Sequence, residues 1–175
     1  MQFYNTKKGA YKIAIISILA ALTMTLSFLE TLLPPLPMLP PGFKMGLSNI
    51  AVMYALFAAS VPYALFLAVV KSFFILFING GYAFVLSLGG SLLSVAAMAV
   101  LIKLFKTRIS YSAISIIGAL FHNGAQIILV CAITASNAAV YYTPVLVIAA
   151  IICGLLTAAV ISALMPKILK MQIDK

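Results

Sequence analysis

The sequence predicts an all-α integral membrane protein with six transmembrane helices and both termini in the cytoplasm. Three observations predict it. Hydrophobic residues make up 65% of the 175-residue chain and charged residues only 7%, against roughly a quarter charged in soluble domains. A crossing helix needs about 20 apolar residues, so this length holds six crossings in a single membrane domain, 1–175, and no separate soluble unit. The basic residues gather at alternate helix ends, as positive-inside topology requires.

Helix one is expected over about 12–33. The Met-Gln-Phe-Tyr-Asn-Thr-Lys-Lys start has no small-residue cleavage site and reads as the flank of a retained helix. Ala10, Ala14, Ser17 and Ala21 make a small-residue stripe, suited either to packing within the bundle or to a partner helix in lipid. Glu30 lies near the far end, and the one other acid is Asp174.

Residues 34–42 form an outer loop. Five of the eight prolines lie between Pro34 and Pro41, and proline denies helix both to itself and to its predecessor. Leu36, Met38, Leu39 and Phe43 make this an ordered, membrane-associated segment rather than a solvated linker.

Helix two is expected over about 45–59 and helix three over 62–78, joined at Ser60-Val61-Pro62. Asn79-Gly80-Gly81 is a turn. Helix four covers about 83–104, and its Gly89-Gly90-Ser91 reads as a close-packing site. Helix five covers about 112–135. A short polar loop with Tyr141 and Tyr142 at the interface follows, then helix six over about 144–165.

Six crossings put Lys7, Lys8, Lys12, Lys103, Lys106, Arg108, Lys167, Lys170 and Lys175 on the side of the termini, leaving Lys44 and Lys71 elsewhere. The net charge of +9 is therefore topological and not a nucleic-acid patch. Cys131 and Cys153 sit in apolar runs and read as small buried hydrophobes. No metal-ligand spacing appears.

Some polar groups need another reason. Lys71 lies eight residues before Asn79, about 12 Å below that end. An ionised side chain in the bilayer costs about 2.5–3.5 kcal/mol and normally faces a partner. That partner is either an anionic ligand or Glu30. His122 and Gln126 are four apart and share a helix face, with Asn123 beside them. They serve either a hydrogen-bond network between helices or a ligand. Asn49 either caps the start of helix two or joins the site. Lys44 binds lipid phosphate or gates the site. If these groups converge, Lys71, His122, Asn123, Gln126, Asn49, Lys44 and Glu30 line an outward-opening pocket under the proline loop. No Ser-His-Asp set, Walker loop or acidic metal cluster is present.

Three motifs carry a resemblance over about residues 10–165. Pro41-Gly42-Phe43-Lys44-Met45-Gly46-Leu47-Ser48-Asn49 is similar to the Pro-Gly-x-Lys-x-Gly-x-(Ala/Ser)-Asn pattern of the Gx transporter family. That family is also labelled heptaprenyl diphosphate synthase component I. Gly118-Ala119-Leu120-Phe121-His122-Asn123-Gly124-Ala125-Gln126 resembles its Gly-Ala-x-x-His-Asn-x-x-Gln, and Ser87-Leu88-Gly89-Gly90 its Ser-x-Gly-Gly.

The resemblance implies a bundle like the six-helix S components of energy-coupling factor transporters. Those are cell-membrane, multi-pass subunits that bind a small molecule from outside and join a transmembrane scaffold and two ATPases. The Ala10, Ala14, Ser17, Ala21 stripe would be the scaffold-docking face.

The leading expectation is a non-enzymatic substrate-binding subunit for a small, partly apolar, anionic ligand, with no cofactor. The alternative is a non-catalytic membrane accessory of isoprenoid or quinone metabolism, or of electron export, with a quinone or flavin as its ligand. Prenyl diphosphate condensation needs paired aspartate-rich magnesium sites, and Asp174 is the chain's single aspartate.

Overall fold

The computed structural model describes residues 9–32, 46–105 and 109–173, with side chains described for 13–32, 46–105 and 109–164. The proline-rich loop 34–42, Lys44 and the side chain of Ala10 lie outside the described residues. Among the described residues the chain is all helix: α1 Gly9–Leu32, α2 Asn49–Ala58, α3 Val61–Phe105, α4 Tyr111–Thr134, a 3-10 turn Asn137–Tyr142, and α5 Thr143–Ile173. Four helical stretches are long and apolar enough to cross a membrane: Ile13–Leu32, Val61–Phe105, Tyr111–Thr134 and Asn137–Leu164.

The expected helices three and four run on as one element, α3, of 45 residues. They are nonetheless two arms. Gly80 stands at φ 80°, ψ −179°, outside helical geometry. The Ser72 and Ser87 hydroxyls lie 3.2 Å apart, and the Phe73 and Phe84 rings 5.2 Å apart. In a straight helix, residues 15 apart would be separated by roughly 22 Å. Arms 61–79 and 81–105 therefore fold back on each other. The turn is tighter than the Asn79-Gly80-Gly81 linker expected from sequence, because one glycine in a conformation nearly closed to other residues does the work.

Helix two is shorter than expected. It starts at Asn49 rather than 45 and spans ten residues, about 15 Å, half a hydrocarbon thickness. Asn49 N–H bonds to Gly46 O at 2.9 Å and Ile50 N–H to Leu47 O at 3.0 Å, so a tight turn feeds the helix. Ser60 precedes α3, with Pro62 in its first turn, where no amide partner is lost. Helix six continues past the expected 165 to Ile173.

Neighbouring rods run antiparallel. Gly90 meets His122 and Gly154 meets Ile116, while Asn123 meets Leu146. The apolar core joins Leu19, Met53, Leu56, Leu67, Val95, Met98, Ile114 and Ile161, drawn from all five helices. It fills the end of the bundle that holds the α2–α3 junction. Glu30, Lys71, His122 and Gln126 are buried toward the Gly80 end, while the buried hydroxyls are spread along the bundle, from Ser72 and Ser87 to Ser94, Ser115 and Thr157. Around both layers the outer faces are apolar, with Ile13, Phe66, Phe77, Ile128 and Ile152 exposed, as lipid contact requires.

Two glycine substitutions test this packing. Gly80→Ala faces no clash but carries backbone strain of about 1–3 kcal/mol. It should lower the melting midpoint in detergent, whereas Gly81→Ala, equally open, should leave it unchanged or raise it. A Gly80→Ala midpoint at or above the parent's would contradict the hairpin. At Gly154 a Cβ would come within 2.7 Å of Ile116 Cα, on backbone that cannot yield. Gly154→Ala should therefore lose about 1–3 kcal/mol in the same measurement, and a neutral result would refute the close α4–α5 approach.

Candidate functional site

The site begins with α1. Leu19, Thr23, Ser27 and Glu30 fall along one helix face and are buried. Ala14, Ser17 and Ala21 fall on the opposite face and are exposed. Thr23 folds its hydroxyl back onto Leu19 O at 2.6 Å, so it places no free polar atom in the interior. Glu30 does the opposite and reaches across to the start of α2.

At that start the Glu30 carboxylate accepts two bonds. Leu47 N–H donates to Oε1, and the Ser48 hydroxyl donates to Oε2 at 3.2 Å. An anion at a helix N-terminus satisfies amides that have no partner in the helix and lies favourably in the helix dipole. From the first arm of α3, the Lys71 ammonium donates to Ser48 Oγ at 3.0 Å and to Asn49 Oδ1 at 2.6 Å. Ser48 thus accepts from the cation and donates to the anion. Lys71 and Glu30 are joined through one hydroxyl, and both are buried, at 2% and 8% exposure.

His122 and Gln126 lie beside this cluster on α4. Gln126 Nε2 and His122 Nε2 are 3.2 Å apart. The opposite edge of the imidazole lies against Gly90, where a Cβ would come within 2.8 Å of Nδ1. Glycine at 90 is what lets the ring lie against the second arm of α3. Gln126 Oε1 is buried with no hydrogen-bond partner, which is costly in an apolar interior unless something else satisfies it.

These groups surround a small cavity, walled by Glu30, Ser48, Lys71, Ser87, His122 and Gln126 with Ile75 and Ala83. A second small space borders it at Gly46 and is lined by Asn49, Met53, Met98 and Thr157 among others. Lys71, Glu30, His122 and Gln126 therefore share one space. Asn49 borders the second and reaches the first through Lys71.

Asn123 does not join them. It is turned about 100° from His122 on α4, and its Nδ2 donates to Leu146 O at 3.0 Å, tying α4 to the start of α5. Lys44 lies outside the described residues.

Sequence reasoning missed Ser48 as the bridge between the charges and Ser72–Ser87 as the link between the arms. A signal was available. Ser87, Ser91 and Ser94 recur at helical spacing in a strongly apolar stretch, and all three are buried.

No curated protein matches the chain, and no solved structure matches it. One family model does, described as heptaprenyl diphosphate synthase component I, over residues 19–164. That span runs from the inward face of α1 through α5 and takes in every member of the Glu30–Ser48–Lys71 cluster and the His122–Gln126 pair. The chain belongs to the heptaprenyl diphosphate synthase component I family.

Proposed function

We propose that the protein is a substrate-binding transport subunit of the S-component type, which holds a small, partly apolar molecule within a six-span bundle. The reading rests on one observation. A small polar cavity is lined by residues from α1, the α2 start, both arms of α3 and α4, and two of its wall groups, Gln126 Oε1 and His122 Nδ1, lack a partner within the protein. Ionisable and amide groups brought together at such a depth, beside a helix that stops halfway, mark a ligand site in lipid.

In this reading α2 and the two arms of α3 complete the count of six. Both termini and the connection after Phe105 face the cytoplasm, where the basic residues lie, and the Gly80 end faces out. The exposed face of Ala14, Ser17 and Ala21 meets a membrane scaffold subunit that couples to ATPases. No part of the chain is assigned a chemical step.

The family description favours a second reading: a non-catalytic membrane partner in isoprenoid or quinone metabolism. With Glu30 and Asp174 as the whole acidic inventory, the chain has no paired aspartate sites for diphosphate–magnesium chemistry, so it would hold a prenyl lipid or quinone for another protein.

Extraction and mass spectrometry of small molecules co-purified with the protein separate the two. A water-soluble molecule at near one per chain, lost in Gln126→Leu and His122→Ala variants that still melt cooperatively, is the expected result. A prenyl lipid or quinone lost in the same variants would install the second reading. A bound molecule indifferent to both variants would remove the cavity from either account.

A further inference from the structure

We infer that the cavity beside Gln126 is a binding site for a single ordered water molecule, which bonds the unpartnered end of the Gln126 amide and ties α4 to the Glu30–Ser48–Lys71 cluster. The inference goes beyond the binding-subunit reading and stands whether or not the chain carries a substrate.

Size comes first. The space has room for about one water molecule. An apolar cavity stays dry, whereas a polar one takes up water that makes about three bonds to its wall. Six of the nine residues that line this one carry polar side chains: Glu30, Ser48, Lys71, Ser87, His122 and Gln126.

The amide comes next. Gln126 is 1% exposed, and its Oε1 has no partner within the protein. Its Nε2 lies 3.2 Å from His122 Nε2. With the amide donating there, the imidazole proton sits on Nδ1, which also lacks a partner and lies on the edge against Gly90. Turning the amide over exchanges the roles: Oε1 then accepts from the ring, and the amide N–H groups take the place of the unpartnered oxygen. In either orientation one end of the glutamine is left to the cavity. Water meets either need, because it both donates and accepts. Being neutral, it is also indifferent to whether the proton of the charged pair lies on Lys71 or on Glu30.

The rest of the wall supplies the remaining bonds. The Glu30 carboxylate accepts from Leu47 N–H and the Ser48 hydroxyl and has further lone pairs. Ser72 gives its proton to Ala68 O at 2.7 Å, so Ser87 is the donor in the 3.2 Å contact between the two hydroxyls. Ser87 Oγ therefore keeps its lone pairs for the cavity. Gln126, Glu30 and Ser87 bring these groups from α4, α1 and the second arm of α3. A water between them joins three helices with bonds nearly as good as direct ones. A larger ligand reaches Gln126 only when these walls part and the water gives up its place.

Hydroxyl radicals generated from water by X-rays label side chains that touch bound water even when they are buried, and peptide mass spectrometry reads the labelled positions. The full-length protein in detergent offers a matched pair of isoleucines. Ile75 is 1% exposed and lines the cavity, whereas Ile161 is 0% exposed and belongs to the apolar core. Ile75 should be labelled several-fold faster than Ile161. Ala83→Leu, which fills the space, should bring Ile75 down to the Ile161 rate. A structure of the protein purified without added ligand should show one density peak about 2.7–3.2 Å from the Gln126 amide.

Equal labelling of Ile75 and Ile161 in the wild type would overturn the inference, and that comparison needs no variant to fold. Ile75 labelling unmoved in a folded Ala83→Leu variant, or a dry cavity with the amide unbonded, would overturn it too. A co-purified organic molecule bonded to Gln126 in place of water would sink it while supporting the binding-subunit reading. Water in place, with no co-purified molecule, would support it while that reading failed.

Discussion

A lysine ammonium buried in an apolar helical bundle is the constraint around which the rest is arranged. Lys71 is 2% exposed and lies roughly 12 Å from the hairpin end of its arm. In lipid such a charge is tolerated only with partners. The chain brings them from two directions: Ser48 and Asn49 at the start of α2, and Glu30 from α1 through Ser48.

This explains a feature otherwise odd for a membrane helix. α2 is ten residues long and begins at the level of Lys71. The turn that feeds it serves both charges: Ser48 Oγ and Asn49 Oδ1 accept from the cation, and the Leu47 N–H and Ser48 hydroxyl donate to the carboxylate.

The packing that holds these groups is equally specific. The second arm of α3 returns beside the first because Gly80 reverses the chain, and the Ser72–Ser87 contact closes the pair. α4 then lies close on the second arm, because Gly90 leaves room for the His122 ring. The apolar core at the opposite end draws on every helix. That end also holds the second space and the buried Ser94, Ser115 and Thr157, so hydroxyls are spread along the bundle, while Glu30, Lys71, His122 and Gln126 gather toward Gly80.

Much of this was legible in the sequence, for reasons that are local. The all-helical membrane class follows from composition, and the reversal near Gly80 from an Asn-Gly-Gly run between apolar stretches. The convergence of Lys71, Glu30, His122 and Gln126 was legible as a need, because each is costly in lipid. How the need is met was not legible. Whether Lys71 faces Glu30 or a ligand depends on the depth of the α2 start, which no pattern within the chain encodes. Ser48 carries no charge and was not counted among the site residues, yet it bridges both charges. Asn123 sits beside His122 in sequence but on a different face, and its bond to Leu146 O belongs to packing.

The central claim is that Lys71 and Glu30 act as one bridged unit, and a double-mutant cycle measures that directly. Equilibrium unfolding in detergent micelles would compare the parent with Lys71→Met, Glu30→Gln and the double variant. Each single change strands one buried charge and should cost about 3–5 kcal/mol. The double change strands neither, and its loss should fall short of the sum by on the order of 1–3 kcal/mol. Losses that simply add would show that the two groups do not sense each other, and the account built on their bridge would fail.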